Sequence, residues 1–196
     1  MALLRPPRAP AVLLLGLVAW VSATSAASAA PSASSVTPDS ERDVKAAFLY
    51  NFAKFVEWPP EVFANATSPM VLCVLDDEPL GASLRATVKG ETLNNRRFEV
   101  RLLRDPFGAQ TCHILFVGPA EKGRLPEILA ALRGTGVLTV GGGSDFLGRG
   151  GMIRLFLEQH RVRFDINLDA AEQSHLKLSS KLLRLARAVN PQRQEG

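Results

Sequence analysis

Apolar positions along this chain follow two rhythms. Between residues 44 and 55 they recur at helical spacing, with Val44, Ala47, Phe48, Phe52 and Phe55 on one face and Asn51 set among them. A polar side chain on such a face needs hydrogen-bond partners if it is buried. Ser40 followed by Asp43 resembles a capping box, with Asp in place of the usual Glu. Trp58-Pro59-Pro60 ends the helix, because the residue before proline avoids the helical region and proline cannot continue it. Short apolar runs then predict strands at 70–75, 98–103 (after a turn at Asn94-Asn95), 114–117 and 137–140, with helices at 79–88 and 121–133. The second of these helices would pack through Leu125, Ile128, Leu129 and Leu132.

The rhythm changes after the glycine-rich segment 141–151. Strands at 152–157 and 162–168, separated by Glu158-Gln159-His160-Arg161, read as a hairpin. A last helix would carry Leu178, Leu182, Leu185, Ala186 and Val189 on one face. Strands alternating with helices predict an α/β fold. It is a single compact domain, with a mostly parallel central sheet, an antiparallel C-terminal hairpin at one edge, and helices packed on the sheet.

The first thirty residues read differently. Arg5 and Arg8 form a positive start, residues 11–21 are an apolar run too short to span a bilayer, and Ala27-Ser28-Ala29 fits a cleavage site. The alternative is a retained N-terminal anchor. A lipoprotein signal needs a Cys near the cleavage region, and Arg5-Pro6-Pro7-Arg8 is not a twin-arginine signal. The expected organisation is a signal peptide at 1–30, a flexible tether at 31–40, the domain at 41–190 and a disordered tail at 191–196. No later apolar run reaches eighteen residues, so no membrane insertion of the mature chain is expected.

Composition supports one globular domain: 46% of the 196 residues are hydrophobic and 21% charged. The formal charge of +4 falls to +2 once Arg5 and Arg8 are removed. Acids are dispersed among the bases, with no stripe to track phosphates, so nucleic-acid binding is not expected. Two cysteines, Cys73 and Cys112, stand in a chain bound for an oxidising compartment, where an even count favours pairing. Two thiols cannot close a tetrahedral zinc site, and neighbouring His113 would point to the opposite face of a strand from Cys112. No metal and no cofactor are expected.

Several patterns invite chemistry. Asp76 and Asp77 end the first strand, where open α/β sheets bind ligands, yet Asp77 also suits the cap of the helix entered by Pro79. The acid pair resembles a receiver-domain pocket, but the strand ending Val117-Gly118-Pro119 supplies no Asp. The run GGGSDFLGRGG fits neither a dinucleotide fingerprint nor a P-loop; tight turns are the simpler account, and Arg149 is its best anion contact. Ser174-His175-Leu176-Lys177 matches the serine acyl-enzyme signature S-x-x-K without its companion motifs. His160 falls on the hairpin turn, and no catalytic residue is assigned.

Three separated motifs carry a family resemblance. VKAAFLYNFAKFVEWP at 44–59, GRGGMI at 148–153, and FDINLDAA at 164–171 followed by LKLSSKLLRLAR resemble the YfiR family of periplasmic proteins. The resemblance covers about residues 42–189. It implies a non-enzymatic regulator that represses a membrane-bound diguanylate cyclase through its periplasmic sensor domain, lowering cyclic di-GMP and biofilm formation. It also implies a compact α/β fold, a homodimer and a redox-sensitive disulfide, whose positions Cys73 and Cys112 fit. Some members carry a second cysteine pair toward the C-terminal half; this chain has none.

With the first and third strands as neighbours, the two backbones lie close enough for that bridge. Alternation puts Cys73 on the face of Val71 and Leu75, and Cys112 on the face of Ile114 and Phe116. The rival reading is a small-ligand-binding domain signalling to another membrane sensor, with Asp76, Asp77 and Arg149 near its pocket. A secreted hydrolase is the third, and it lacks a complete catalytic constellation.

Overall fold

Helix α1 (Pro38–Phe55) opens the fold in the computed structural model, which describes residues 38–190. The expected signal peptide at 1–30, residues 31–37 of the tether and the tail at 191–196 lie outside the described residues. The helix begins ahead of Ser40, on a proline, whose missing N–H costs nothing in a first turn. Asp39 and Glu41 near its start and Lys54 near its end match the helix dipole.

The buried line of α1 is Ala46, Leu49, Phe52 and Ala53, which differs from the face expected from spacing. Val44 and Asn51 are exposed, so Asn51 needs no buried partner. A second helix explains the offset. Glu57 and its neighbour Val56 form the short strand β1 (Val56–Glu57), the chain then enters β2 (Met70–Leu75), and α2 (Glu78–Thr87) returns to pack on α1. Packed beside α2 on the same face of the sheet, α1 turns Ala46 and Leu49 inward and leaves Phe48 half-buried.

Strands β3 (Thr92–Leu93) and β4 (Arg96–Leu103) form a tight hairpin. Its loop, Asn94-Asn95, has φ of 50° and 63°, the doubly left-handed geometry of a two-residue turn and one that Asn tolerates. Strand β5 (Ile114–Val117) follows, then α3 (Leu125–Leu132). The single helix expected at 121–133 is divided. A 3-10 turn (Pro119–Gly123) comes first, and Pro126 sits in the opening turn of α3, where proline starts a helix and would break its interior.

After β6 (Leu138–Gly141) and the glycine-rich loop come β7 (Ile153–Glu158) and β8 (Arg161–Ile166), joined by Gln159-His160 as a two-residue hairpin. The C-terminal part departs most from expectation. In place of one long helix the chain makes α4 (Leu168–Gln173), β9 (Lys177–Leu178), α5 (Ser180–Leu185) and β10 (Ala188–Val189). Ser179 caps α5 by accepting the Leu182 N–H, and Ala186 is extended, so the helix lasts six residues. Leu182 is buried, while Leu185 and Val189 are exposed. β9 pairs antiparallel with β1 as a separate two-stranded sheet that ties the end of α1 to the C-terminal segment.

The main sheet has the order β10-β8-β7-β6-β5-β2-β4-β3. Strands β4, β2, β5, β6 and β7 run parallel; β7–β8 and β3–β4 are antiparallel. The hairpin β7–β8 is therefore near one edge, with β10 parallel outside it. β2 is central and buried along its whole length. Its alternate residues feed two apolar layers: Met70, Leu72 and Val74 meet α1 and α2, while Val71, Cys73 and Leu75 meet α3.

Candidate functional site

The C-terminal ends of β2, β5 and β6 all point the same way, and the residues singled out in the sequence lie there. Asp77 caps α2: its carboxylate accepts the Leu80 N–H at 3.1 Å. Asp76 is exposed, with φ of 52°, and its N–H donates to the Leu103 carbonyl. Gly118 passes so close to this turn that a Cβ would stand 2.6 Å from the Leu75 carbonyl oxygen. Arg149 pairs with Asp145 at 2.6 Å, a hydrogen bond that holds the Asp145 carboxyl below its ordinary range. The structure thus engages Asp77 and Arg149 separately, with no contact joining either aspartate to Arg149 among the described residues.

The glycine-rich loop has a packing role. Phe146, 1% exposed, folds back between Gly141 and Gly151, and a Cβ on either glycine would come within 2.4 Å of its ring. The loop is shaped by this packing. It is a clamp around one aromatic side chain, which seals the α3 face of the sheet.

Cys73 and Cys112 are joined in a disulfide with their Cα atoms 5.9 Å apart. Both are buried, and the bridge ties the middle of β2 to the turn that enters β5. Cys112 shares its layer with Leu115 and Val117, not with Ile114 and Phe116 as alternation predicted. The reason is local: a 3-10 turn (Ala109–Thr111) runs directly into Cys112, ahead of the strand proper, so strand parity does not extend back to it.

His113 turns the other way. Its Nδ1 accepts the Val71 N–H at 3.0 Å, its ring stacks on Phe63 with centroids 4.5 Å apart, and Trp58 meets it edge-on. Arg96 lies over the Phe63 ring and donates to the carbonyls of Asn65 and Ser68. Burial, with Arg96 and Arg101 adding positive charge, lowers the His113 pKa from 6.5 to about 4. The imidazole is neutral at pH 7 and works as a structural acceptor.

The S-x-x-K residues are also divided. Ser174 is 1% exposed and accepts the Gly134 N–H, whereas Lys177 is exposed. His160 is exposed on its turn, and the described residues hold no group of three metal-ligating side chains.

Two features went unread in the sequence. Asp165, fully buried, takes hydrogen bonds from both Arg154 and Arg187. A cavity of about 190 Å³ opens beside α3 and α4, lined by Arg133, Thr139, Gly150, Asn167, Asp169 and Ser174, with neither Asp76, Asp77 nor Arg149 in its wall. The signal for both was the motif pair 148–153 and 164–171, which supplies Gly150, Asp165, Asn167 and Asp169.

Among solved structures, the chain is similar to a conserved domain protein from Vibrio cholerae O1 biovar El Tor, with 10% identity and a TM-score of 0.49 over 76% of this chain. It is also similar to an ABC domain solved in complex with L-Trp from Streptococcus pneumonia, with 10% identity and a TM-score of 0.44 over 61% of this chain. It spans 60% and 56% of the lengths of those two chains. A family model described as DUF4154, YfiR/HmsC-like, matches residues 42–187, which takes in all three motifs and both cysteines. The chain belongs to the YfiR/HmsC-like family.

Proposed function

We propose that the protein is a periplasmic repressor of an inner-membrane diguanylate cyclase. It binds the cyclase's periplasmic sensor region and so lowers cyclic di-GMP and biofilm formation. The observation that carries this reading is the family match, which runs through nearly the whole described chain. The expected signal peptide at 1–30 supports export, and a buried disulfide suits an oxidising compartment. Among the described residues no helix is long and apolar enough to cross a membrane, in keeping with a partner that supplies the membrane anchor. Two of the groups singled out in the sequence have structural partners: Asp77 caps a helix, and Ser174 of the S-x-x-K match accepts a backbone N–H. Regulation then rests on contact, and the stability of the bridged fold sets how much repressor is present.

The cavity beside α3 and α4 favours a second reading, a small-ligand domain that signals to another membrane sensor. One experiment separates the two. The tagged, exported protein is used to capture partners from solubilised inner membrane. The first reading expects a protein with a periplasmic sensor and a diguanylate cyclase domain. Recovery of a membrane sensor without a cyclase domain would support the second and contradict the first.

A further inference from the structure

Strand β4 leaves most of its outer side open, because β3 covers it only at Arg96 and Arg97. The Asp76 N–H donates to the Leu103 carbonyl, so in this parallel ladder the odd-numbered residues of β4 aim their backbone groups at β2. Phe98, Val100 and Leu102 aim theirs the other way, and among the described residues no strand pairs with them. A groove of about 580 Å³ runs between this edge and the C-terminal end of α2. Buried Val88 and half-buried Phe98 and Val100 give it an apolar floor.

The charges around the groove are unequal. Its two acids are engaged: Glu91 accepts the Tyr50 hydroxyl, and Glu99 pairs with Arg101 at 2.6 Å. Arg85, Lys89 and Arg97 are exposed in the wall, and their side chains make no hydrogen bond or ion pair with any described residue. An open backbone edge, an apolar floor and three unpaired cations fit one kind of occupant, an extended segment that carries carboxylates. Its backbone would satisfy the outward groups of β4, as strand addition does, and its apolar side chains would alternate onto the floor. Its acids would neutralise the three cations. A second copy of this chain would bring the same three cations to the groove and fits it less well.

We propose that the groove at the β4 edge is a docking site for an extended acidic segment of another protein, which adds to the main sheet as a strand beside residues 98–102. The inference stands whether or not that segment belongs to a diguanylate cyclase.

The test selects peptides on the exported protein from a phage-displayed library of random decapeptides. Selected sequences are synthesised, their binding is followed by fluorescence anisotropy, and amide hydrogen exchange is measured on the complex. The expected sequences alternate Asp or Glu with apolar residues. Their affinity should fall as salt is raised, and exchange should slow at Phe98, Val100 and Leu102. Lys89→Glu combined with Arg97→Glu, both at exposed positions, should weaken binding by roughly tenfold. A selected peptide with its acids changed to lysine should bind that double variant better than the native protein. Val100→Pro offers a second route, because it deletes an outward N–H that the chain's own ladder does not use and leaves the cations in place. Thermal melts identify the variants that fold. A library that yields no binder, selected peptides without an excess of acids, or binding indifferent to both kinds of variant would overturn the proposal. Edge amides that gain protection with protein concentration in the absence of peptide would overturn it too, since a second copy would then hold the edge.

Discussion

Arg187 closes on the carboxylate of Asp165 with two hydrogen bonds, Nε to Oδ1 at 2.8 Å and Nη2 to Oδ2 at 2.7 Å. Arg154 adds a third to Oδ2 at 2.7 Å, and the Phe156 ring lies beneath both guanidinium groups. Asp165 is wholly buried in β8, directly opposite Ala188 of β10. The forked pair therefore stops the chain from continuing α5 and seats β10 on the sheet.

Removing the shared carboxylate should be costly, because two guanidinium groups would then face each other without their anion. Asp165→Ala is expected to destabilise the protein by about 3–5 kcal/mol in urea unfolding. A loss below about 1 kcal/mol would show that β10 is held by something else.

The Cys73–Cys112 bridge closes a loop with a sequence separation of 39. Chain entropy values such a loop at roughly 4 kcal/mol, a large share of an ordinary domain's total of about 5–15 kcal/mol. Cys73→Ser, Cys112→Ser or added reductant should each lower the melting temperature by a similar amount and reduce the level of protein in the cell. Mass spectrometry of the isolated protein should find no free thiol. Two free thiols, or a melt indifferent to reductant, would remove redox control from the account.

His113 predicts a particular loss of stability in acid. Its folded pKa of about 4 lies below the ordinary 6.5, so the unfolded chain binds a proton that the folded one refuses. Stability from this group is intact above pH 6.5, falls as pH drops, and levels off near pH 4. The loss totals about 3 kcal/mol at roughly 1.4 kcal/mol per pH unit. His113→Phe should lower stability at pH 7, since the Val71 N–H loses its acceptor, and flatten the dependence between pH 4 and 6.5. An unchanged slope in the variant would place the acid sensitivity elsewhere.

The glycine-rich loop is testable by a single methyl group. A Cβ at Gly151 would stand 2.2 Å from the Phe146 ring, so Gly151→Ala must displace a fully packed aromatic. A destabilisation of about 1–3 kcal/mol is expected. Adding Phe146→Leu should recover part of it if the clash is the cause. No recovery in the double variant would point to the backbone of Gly151 instead.

Much of this fold was legible because its strands are short, apolar and separated by prolines, glycines and aspartates. Strand β2 begins at Met70 and ends at Leu75 as expected, and Asp77 caps α2 as its position before Pro79 suggested. Two of the errors come from contact between distant segments, and the one at Cys112 from a local turn. Helical spacing could not show that α2 would rotate the buried face of α1 away from Asn51. Nor could it show that Asp165 would draw Arg187 out of a helix and into a sheet. Strand parity failed at Cys112 because a 3-10 turn precedes it. The disulfide partners themselves were readable, since two cysteines in a chain expected to be exported have one pairing. The 190 Å³ cavity was not, because its wall is assembled from α3, β6, the glycine-rich loop and α4.

Repression of a diguanylate cyclase, as proposed, is measured most directly by the cellular cyclic di-GMP pool in a strain that expresses the partner cyclase. Deleting the gene should raise the pool. Restoring the native protein should lower it again, and restoring Cys73→Ser should lower it only in proportion to the amount of protein that accumulates. An unchanged pool on deletion, with the cyclase demonstrably present, would contradict the account.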